Sequence, residues 1–175
     1  MRTRSLAAAI AFACVVATPL IAQQNPIQLA LFTPVQLVPE NQSVGVLRLN
    51  LIYSVNRSVK YVDLGFVNVT SGGASSGVQW AFVAINQGSF TGWQSGAAAA
   101  VTRGPFLGLQ SGWFTSARQG EGVQWGVVNT AASWNGLQFG VVNYTERLHG
   151  VQVGLINIIK QGGAFPVFPL VNWSF

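Results

Sequence analysis

Gly-Val-Gln-Trp-Gly-Val-Val-Asn (122–129), Gly-Leu-Gln-Phe-Gly-Val-Val-Asn (136–143) and Gly-Val-Gln-Val-Gly-Leu-Ile-Asn (150–157) are three copies of one eight-residue phrase, repeated every fourteen residues. A short fixed period means that one structural unit is laid down again and again. Within each copy the alternation is strict. Val123, Trp125 and Val127 share one face, as do Leu137, Phe139 and Val141, while Gln and Gly take the other. A period of 2 is that of a strand. Each unit also carries interior glycines that cost about 1 kcal/mol apiece in a helix.

Looser copies precede these three. The glutamines fall at Gln79, Gln94, Gln110, Gln124, Gln138 and Gln152, spaced by 14 to 16 residues. Asp63-Leu64-Gly65-Phe66-Val67-Asn68 fits the same phrase with Asp63 in the Gln slot, so that slot tolerates a charge and faces a polar space. The segments Leu47–Tyr53 and Val62–Phe66 read as a β-hairpin around Asn56-Arg57-Ser58. In it Arg48 and Asp63 sit close to cross-strand register on the less apolar face, so a salt bridge between them is expected. Arg103, Arg118, Glu121, Glu146, Arg147 and Lys160 lie between repeats, so the turns meet water.

Half of the 175 residues are hydrophobic and only 7% are charged, against roughly 25% in an ordinary soluble domain. The N-terminus has the parts of a secretory signal, with Arg2 and Arg4 before an apolar core from Leu6 to Ala17 and a cleavage point after Ala22. Cleavage removes Cys14, the one cysteine, and lowers the net charge from +5 to +3. No Lys/Arg run suits nucleic acid. The expected organisation is a signal peptide over 1–22, a proline-bearing lead-in arm or edge strand over 23–42, and a β-repeat domain over 43–175.

Two architectures fit the period. An antiparallel meander closing into a small transmembrane β-barrel of about 8–10 strands matches the roughly 9–11 residues of a spanning strand plus a turn. Arg48, Asp63 and the six glutamines would then face its lumen. A β-solenoid of about 14-residue coils explains the exact repetition better, because identical positions stack into ladders of Gln124, Gln138, Gln152 and of Asn129, Asn143, Asn157. It is cramped for Trp80, Trp125 and Phe139 if they point inward, and it exposes Val128, Val142 and Ile156 with almost no surface charge. The low charge favours the barrel, with the solenoid as the alternative.

The phrase resembles the repeat of a family of bacterial surface proteins built from Gly-x-Gln-x-Gly-apolar-apolar-Asn units. The resemblance spans Gly77 to Asn157, although the copies at 92–99 and 108–115 lack the closing Asn. It implies a surface location and brings no activity with it. Trp173-Ser174-Phe175 looks like the C-terminal signal of outer-membrane barrels, which implies partnership with the barrel-insertion machinery and with the outer-membrane bilayer. No Gly-x-Ser-x-Gly elbow or phosphate loop is present. Glu146 and His149 form the one conceivable acid–base or metal pair, without a third group. The expectation is therefore a non-catalytic outer-membrane or surface protein with no cofactor and no metal. A secreted adhesin-like solenoid scaffold is the alternative, and a narrow pore ranks below both.

Overall fold

The computed structural model describes residues 25–175, so the expected signal segment and Cys14 lie outside the described residues. The described chain is built of β1 (Asn25–Phe32), β2 (Val35–Gln36), β3 (Val44–Asn56), β4 (Lys60–Thr70), β5 (Ala74–Asn86), β6 (Ser89–Phe139), β7 (Val142–Gln161) and β8 (Val167–Ser174). Neighbours follow the order β2-β1-β3-β4-β5-β6-β7-β8. Every pairing from β1/β3 through β6/β7 is parallel, and only β1/β2 and β7/β8 are antiparallel.

That polarity decides the architecture. Consecutive strands can pair in parallel only if the chain travels right round before returning beside itself. Here it does so without a helix, as a β-solenoid of about nine turns. The solenoid alternative is thus the fold, and the antiparallel barrel is corrected. β2 and β8 stand at opposite ends of the order and do not pair with each other, so no barrel closes. The hairpin expected between Leu47 and Phe66 is corrected too, because β3 and β4 run parallel with Arg48 opposite Asp63. Parallel coils explain the exact repetition: Asn129 pairs with Asn143, Gly136 with Gly150 and Gln138 with Gln152.

The objection that aromatic residues would crowd so small a coil falls away, because they point outward. Trp80, Trp125 and Phe139 are 59, 67 and 36% exposed. Each coil sends only about four side chains inward. In the coil that begins at Gly122 these are Gln124, Asn129, Ala131 and Trp134. The Trp134 slot is the apolar row of the interior. Phe90 stacks on Phe106 with ring centroids 6.0 Å apart, and Phe106 on Trp134 at 5.9 Å. Gly120 occupies the intervening coil, and a Cβ there would stand 2.5 Å from the Trp134 ring. Its missing side chain is the space through which Trp134 reaches Phe106.

The glycine that opens each phrase is required by backbone geometry. Gly122 and Gly136 have φ of 121° and 128°, and a Cβ on either would lie 2.1 Å from the carbonyl oxygen of the glycine one coil below. The same slot in β4 is filled by Tyr61, which pairs with Gly77 and has φ of 68°. A non-glycine residue held there costs about 1–2 kcal/mol, and the Tyr61 ring is 65% exposed and recovers little of that by burial. Tyr61→Gly is expected to raise the unfolding free energy by about 1 kcal/mol. Urea denaturation followed by far-UV circular dichroism checks this, and an unchanged or lowered midpoint refutes the strain.

Both ends of the stack are closed by reversals. At one end β2 folds back on β1, and Pro26, Pro34 and Pro39 lie in or beside the pair. At the other, β8 reverses onto β7 and carries Pro169 in its exposed edge. Proline removes a ladder donor, and an exposed edge otherwise invites another strand. The prolines that suggested a lead-in arm thus serve as end caps.

Candidate interaction surface

The interior is organised by one polar column. Gln28, Arg48, Asp63, Gln79 and Gln94 stand in register on successive strands, Gln138 pairs with Gln152, and Asn172 on β8 lies opposite Gln152. Arg48 and all six expected glutamines, Gln79 through Gln152, have no solvent exposure, and Asp63 has 3%. All eight therefore face the inside of the coil rather than the lumen of a barrel.

Asp63 is the anchor. Its carboxylate accepts from Arg48 Nε at 2.6 Å and Nη2 at 2.7 Å, from Asn68 Nδ2 at 2.9 Å and from Gln79 Nε2 at 2.6 Å. A carboxylate only accepts, so Gln79 must turn its amide nitrogen toward it and its carbonyl oxygen away. That choice propagates. Gln94 donates to Gln79 Oε1 at 3.0 Å, Gln110 to Gln94 at 2.9 Å and Gln124 to Gln110 at 2.8 Å. Gln138 then donates to Gln124, and Gln152 to Gln138 at 2.7 Å. The second amide hydrogen reaches a backbone carbonyl, as from Gln124 to Thr130 O at 3.2 Å and from Gln152 to Ile158 O at 3.2 Å. Neighbouring hydroxyls and amides supply a second donor to the oxygens. Asn86 reaches Gln79 at 2.7 Å, Thr102 reaches Gln94 at 2.8 Å and Thr145 reaches Gln138 at 2.7 Å. Buried amides are tolerable because nearly every group is paired, and aligned amides strengthen one another. The column ends at Gln152 Oε1, which has no donor.

A second column runs the other way. Asn129 donates to Asn143 Oδ1 at 2.8 Å, and Asn143 to Asn157 Oδ1 at 2.8 Å. Thr115 fills the Asn slot of its copy and donates to Asn129 Oδ1 at 2.6 Å. The copy at 92–99 is out of step because the register shifts next to Ala81, and its slot is taken by the buried Ala100. The sequence reading does not include Gln28 and Asn172, which stand in register at the two ends of the Gln column without hydrogen-bonding to it. Gln28 was detectable from the alternation Ile27-Gln28-Leu29, whereas Asn172 arrives on a reversed strand and gave no signal.

Among the described residues no three His, Cys, Asp or Glu side chains come together. Glu146 and His149 are exposed, and the His149 ring meets Phe175 edge-on at 6.1 Å. Trp173 pairs with Val151 on the antiparallel cap, and both Trp173 and Phe175 are exposed. Their expected role as an insertion signal assumed the last strand of a barrel.

What the solenoid presents is its outer wall. Val62, Val78 and Trp93 stack in register, as do Leu64, Trp80 and Ser95, Val67, Val83 and Ala99, and Val69, Ile85 and Val101. Further along, Leu137 pairs with Val151 and Phe139 with Val153. Phe66 stacks on Phe82 at 4.9 Å and Trp80 on Trp93 at 6.3 Å. A furrow of about 830 Å³ runs along this wall, lined by Ser95, Trp113, Trp125, Val127, Phe139 and Val141 among others. The remaining part of each coil is polar. Ser133 pairs with Arg147 and Asn135 with His149, and the preceding coils place Arg103, Arg118, Gln119 and Glu121 there. The wall is thus apolar along the rows of Val62, Leu64 and Val67, while the row of Val69, Ile85 and Val101 borders the arc that carries the charge, where Val101 shares a hollow with Arg103 and Arg118. Compared with protein-family models, curated proteins and solved structures, the chain matches none, so this surface rests on its own geometry.

Proposed function

We propose that this chain is an exported, non-catalytic β-solenoid scaffold of the cell envelope that acts by presenting its outer wall to a partner. One observation carries the reading. Trp80, Trp93, Trp113 and Trp125 are 59, 41, 74 and 67% exposed. With roughly 200 Å² per tryptophan, these four side chains alone expose about 500 Å², already as much as the largest apolar patch of a typical soluble monomer. Phe66, Phe82, Phe139, Val127, Val141 and Leu155 extend the same face. Coil stacking holds them in fixed rows, as an interaction surface requires.

The signal-like residues 1–22 and the resemblance to surface repeat proteins support an envelope location, with the outer membrane or the cell surface as its site. Side chains fill the coil interior, which favours a scaffold over a pore. Expression with the native N-terminus in a Gram-negative host, followed by fractionation, tests this. The processed chain is expected in the envelope fraction and accessible to added protease. Recovery of the unprocessed chain from the cytoplasm refutes it.

A further inference from the structure

The identity of the partner rests on the scaffold reading and can be taken one step further. We infer that the apolar wall seats in the hydrocarbon of one lipid leaflet, with the solenoid axis lying along the membrane and the charged arc turned to water.

Three observations converge on lipid. The first concerns the backbone. Hydrocarbon tolerates no unpaired N–H or C=O group. In a stack of parallel coils these groups bond from coil to coil along the axis, so the wall offers side chains and no strand edge. The edges lie only at the two ends, where β2 and β8 reverse the chain. The indole N–H of Trp93 is also satisfied within the wall, donating to Ser111 Oγ at 3.1 Å.

The second observation is where the charges lie. Arg48 and Asp63 neutralise each other inside. Glu40 is in the N-terminal cap. The remaining exposed or half-exposed charges of the coils, Arg57, Lys60, Arg103, Arg118, Glu121, Glu146, Arg147 and Lys160, all fall in the arc opposite the wall. None interrupts the rows headed by Val62, Leu64 and Val67, and the row of Val69 marks the border with the charged arc. An interfacial element partitions in this way, with its apolar side sunk roughly 5–10 Å into a leaflet.

The third is relief. Trp113 and Trp125 stand beside Ser95, Ala97 and Ser111, which leaves the open furrow between the rows. A protein partner would need a matching ridge to exclude water from it. Fluid acyl chains fill such a furrow without one. Tryptophan is also the side chain that collects at the boundary of headgroups and hydrocarbon.

The test uses the purified processed chain and vesicles of neutral phosphatidylcholine, so that charge cannot drive binding. Wild type is expected to float with the vesicles in a density gradient and to shift its tryptophan emission to the blue. The double substitution Trp125→Glu with Val141→Glu puts two charges on the wall and is expected to lower vesicle partition about tenfold or more. Arg103→Glu with Arg118→Glu, on the arc, is expected to leave it within about twofold. Trp125→Ser with Val141→Ser, milder for folding, is expected to weaken binding in the same direction, and far-UV circular dichroism confirms that each variant is folded. Wild type that stays in the dense fractions overturns the inference, as does a folded wall variant that floats undiminished. A discrete lipid-free dimer that vesicles do not dissociate, and that the wall substitutions break, assigns the wall to a second copy and also overturns it. The scaffold reading stands or falls separately, on the fractionation.

Discussion

Asp63→Ala is expected to lower the unfolding free energy by about 3–5 kcal/mol. The reason is what remains behind. Arg48 has no exposure, and its guanidinium is held by two hydrogen bonds of 2.6 and 2.7 Å to the Asp63 carboxylate. Its Nη1 reaches Val69 O at 2.8 Å, which satisfies a hydrogen and not the charge. Removing the carboxylate leaves a buried cation with no counter-charge. Asn68 Nδ2 and Gln79 Nε2 lose their acceptor at the same time. Guanidinium denaturation of the two proteins measures the difference, and a loss below about 1 kcal/mol would refute the anchor role. The column also predicts a rescue. Arg48→Gln with Asp63→Gln converts both slots to the residue that fills the next six, removes both buried charges together, and lets Gln79 keep an acceptor. That pair is expected to lie within about 1–2 kcal/mol of wild type, because replacing both partners of a buried ion pair is far milder than breaking it.

Gln138→Leu is expected to cost about 3–4 kcal/mol, while Gln152→Leu, fourteen residues on and equally buried, costs about 1 kcal/mol. The contrast is the informative quantity, since both changes swap the same atoms at the same burial. Gln138 stands mid-column. It donates to Gln124 Oε1 and accepts from Gln152 Nε2 and Thr145 Oγ1, so leucine strands the Gln124 oxygen and the Thr145 hydroxyl, while Gln152 keeps Ile158 O as an acceptor. Gln152 is the last glutamine, and its own oxygen already lacks a donor. When it is replaced, Gln138 Oε1 keeps its bond from Thr145 at 2.7 Å. Parallel denaturation curves decide the matter. Equal losses at the two positions would mean that the amides contribute as isolated groups, with no directional column.

Both expectations come from features that were partly legible in the residues. The alternation at Val123-Gln124-Trp125, repeated at fourteen, is enough for strands, for Gln and Trp on opposite faces, and for Gln124, Gln138 and Gln152 in equivalent places. The pairing of Arg48 with Asp63 is legible from their common face and near register, although the strands that bring them together are parallel and not a hairpin, and the position of the other charges between repeats marks the turns as water-facing. The placement of Trp80 and Trp125 was legible too, but only under the wrong architecture. In the sequence an apolar exterior with little charge points to a barrel, and a solenoid is cramped only if those rings point inward. The structure keeps the apolar exterior and wraps it around a coil instead of a lumen.

Composition and period together determined an all-β repeat with amides on one side and aromatics on the other. Strand polarity was decided only in three dimensions. A residue alternates in or out in the same way whether its neighbour runs with it or against it, so period 2 carries no information on direction. What chooses parallel coils is contact between residues fourteen to sixteen apart. Each glutamine lies within hydrogen-bonding reach of the next only if every turn brings the same slot back to the same level, and each phrase-opening glycine makes room for the carbonyl of the one before it.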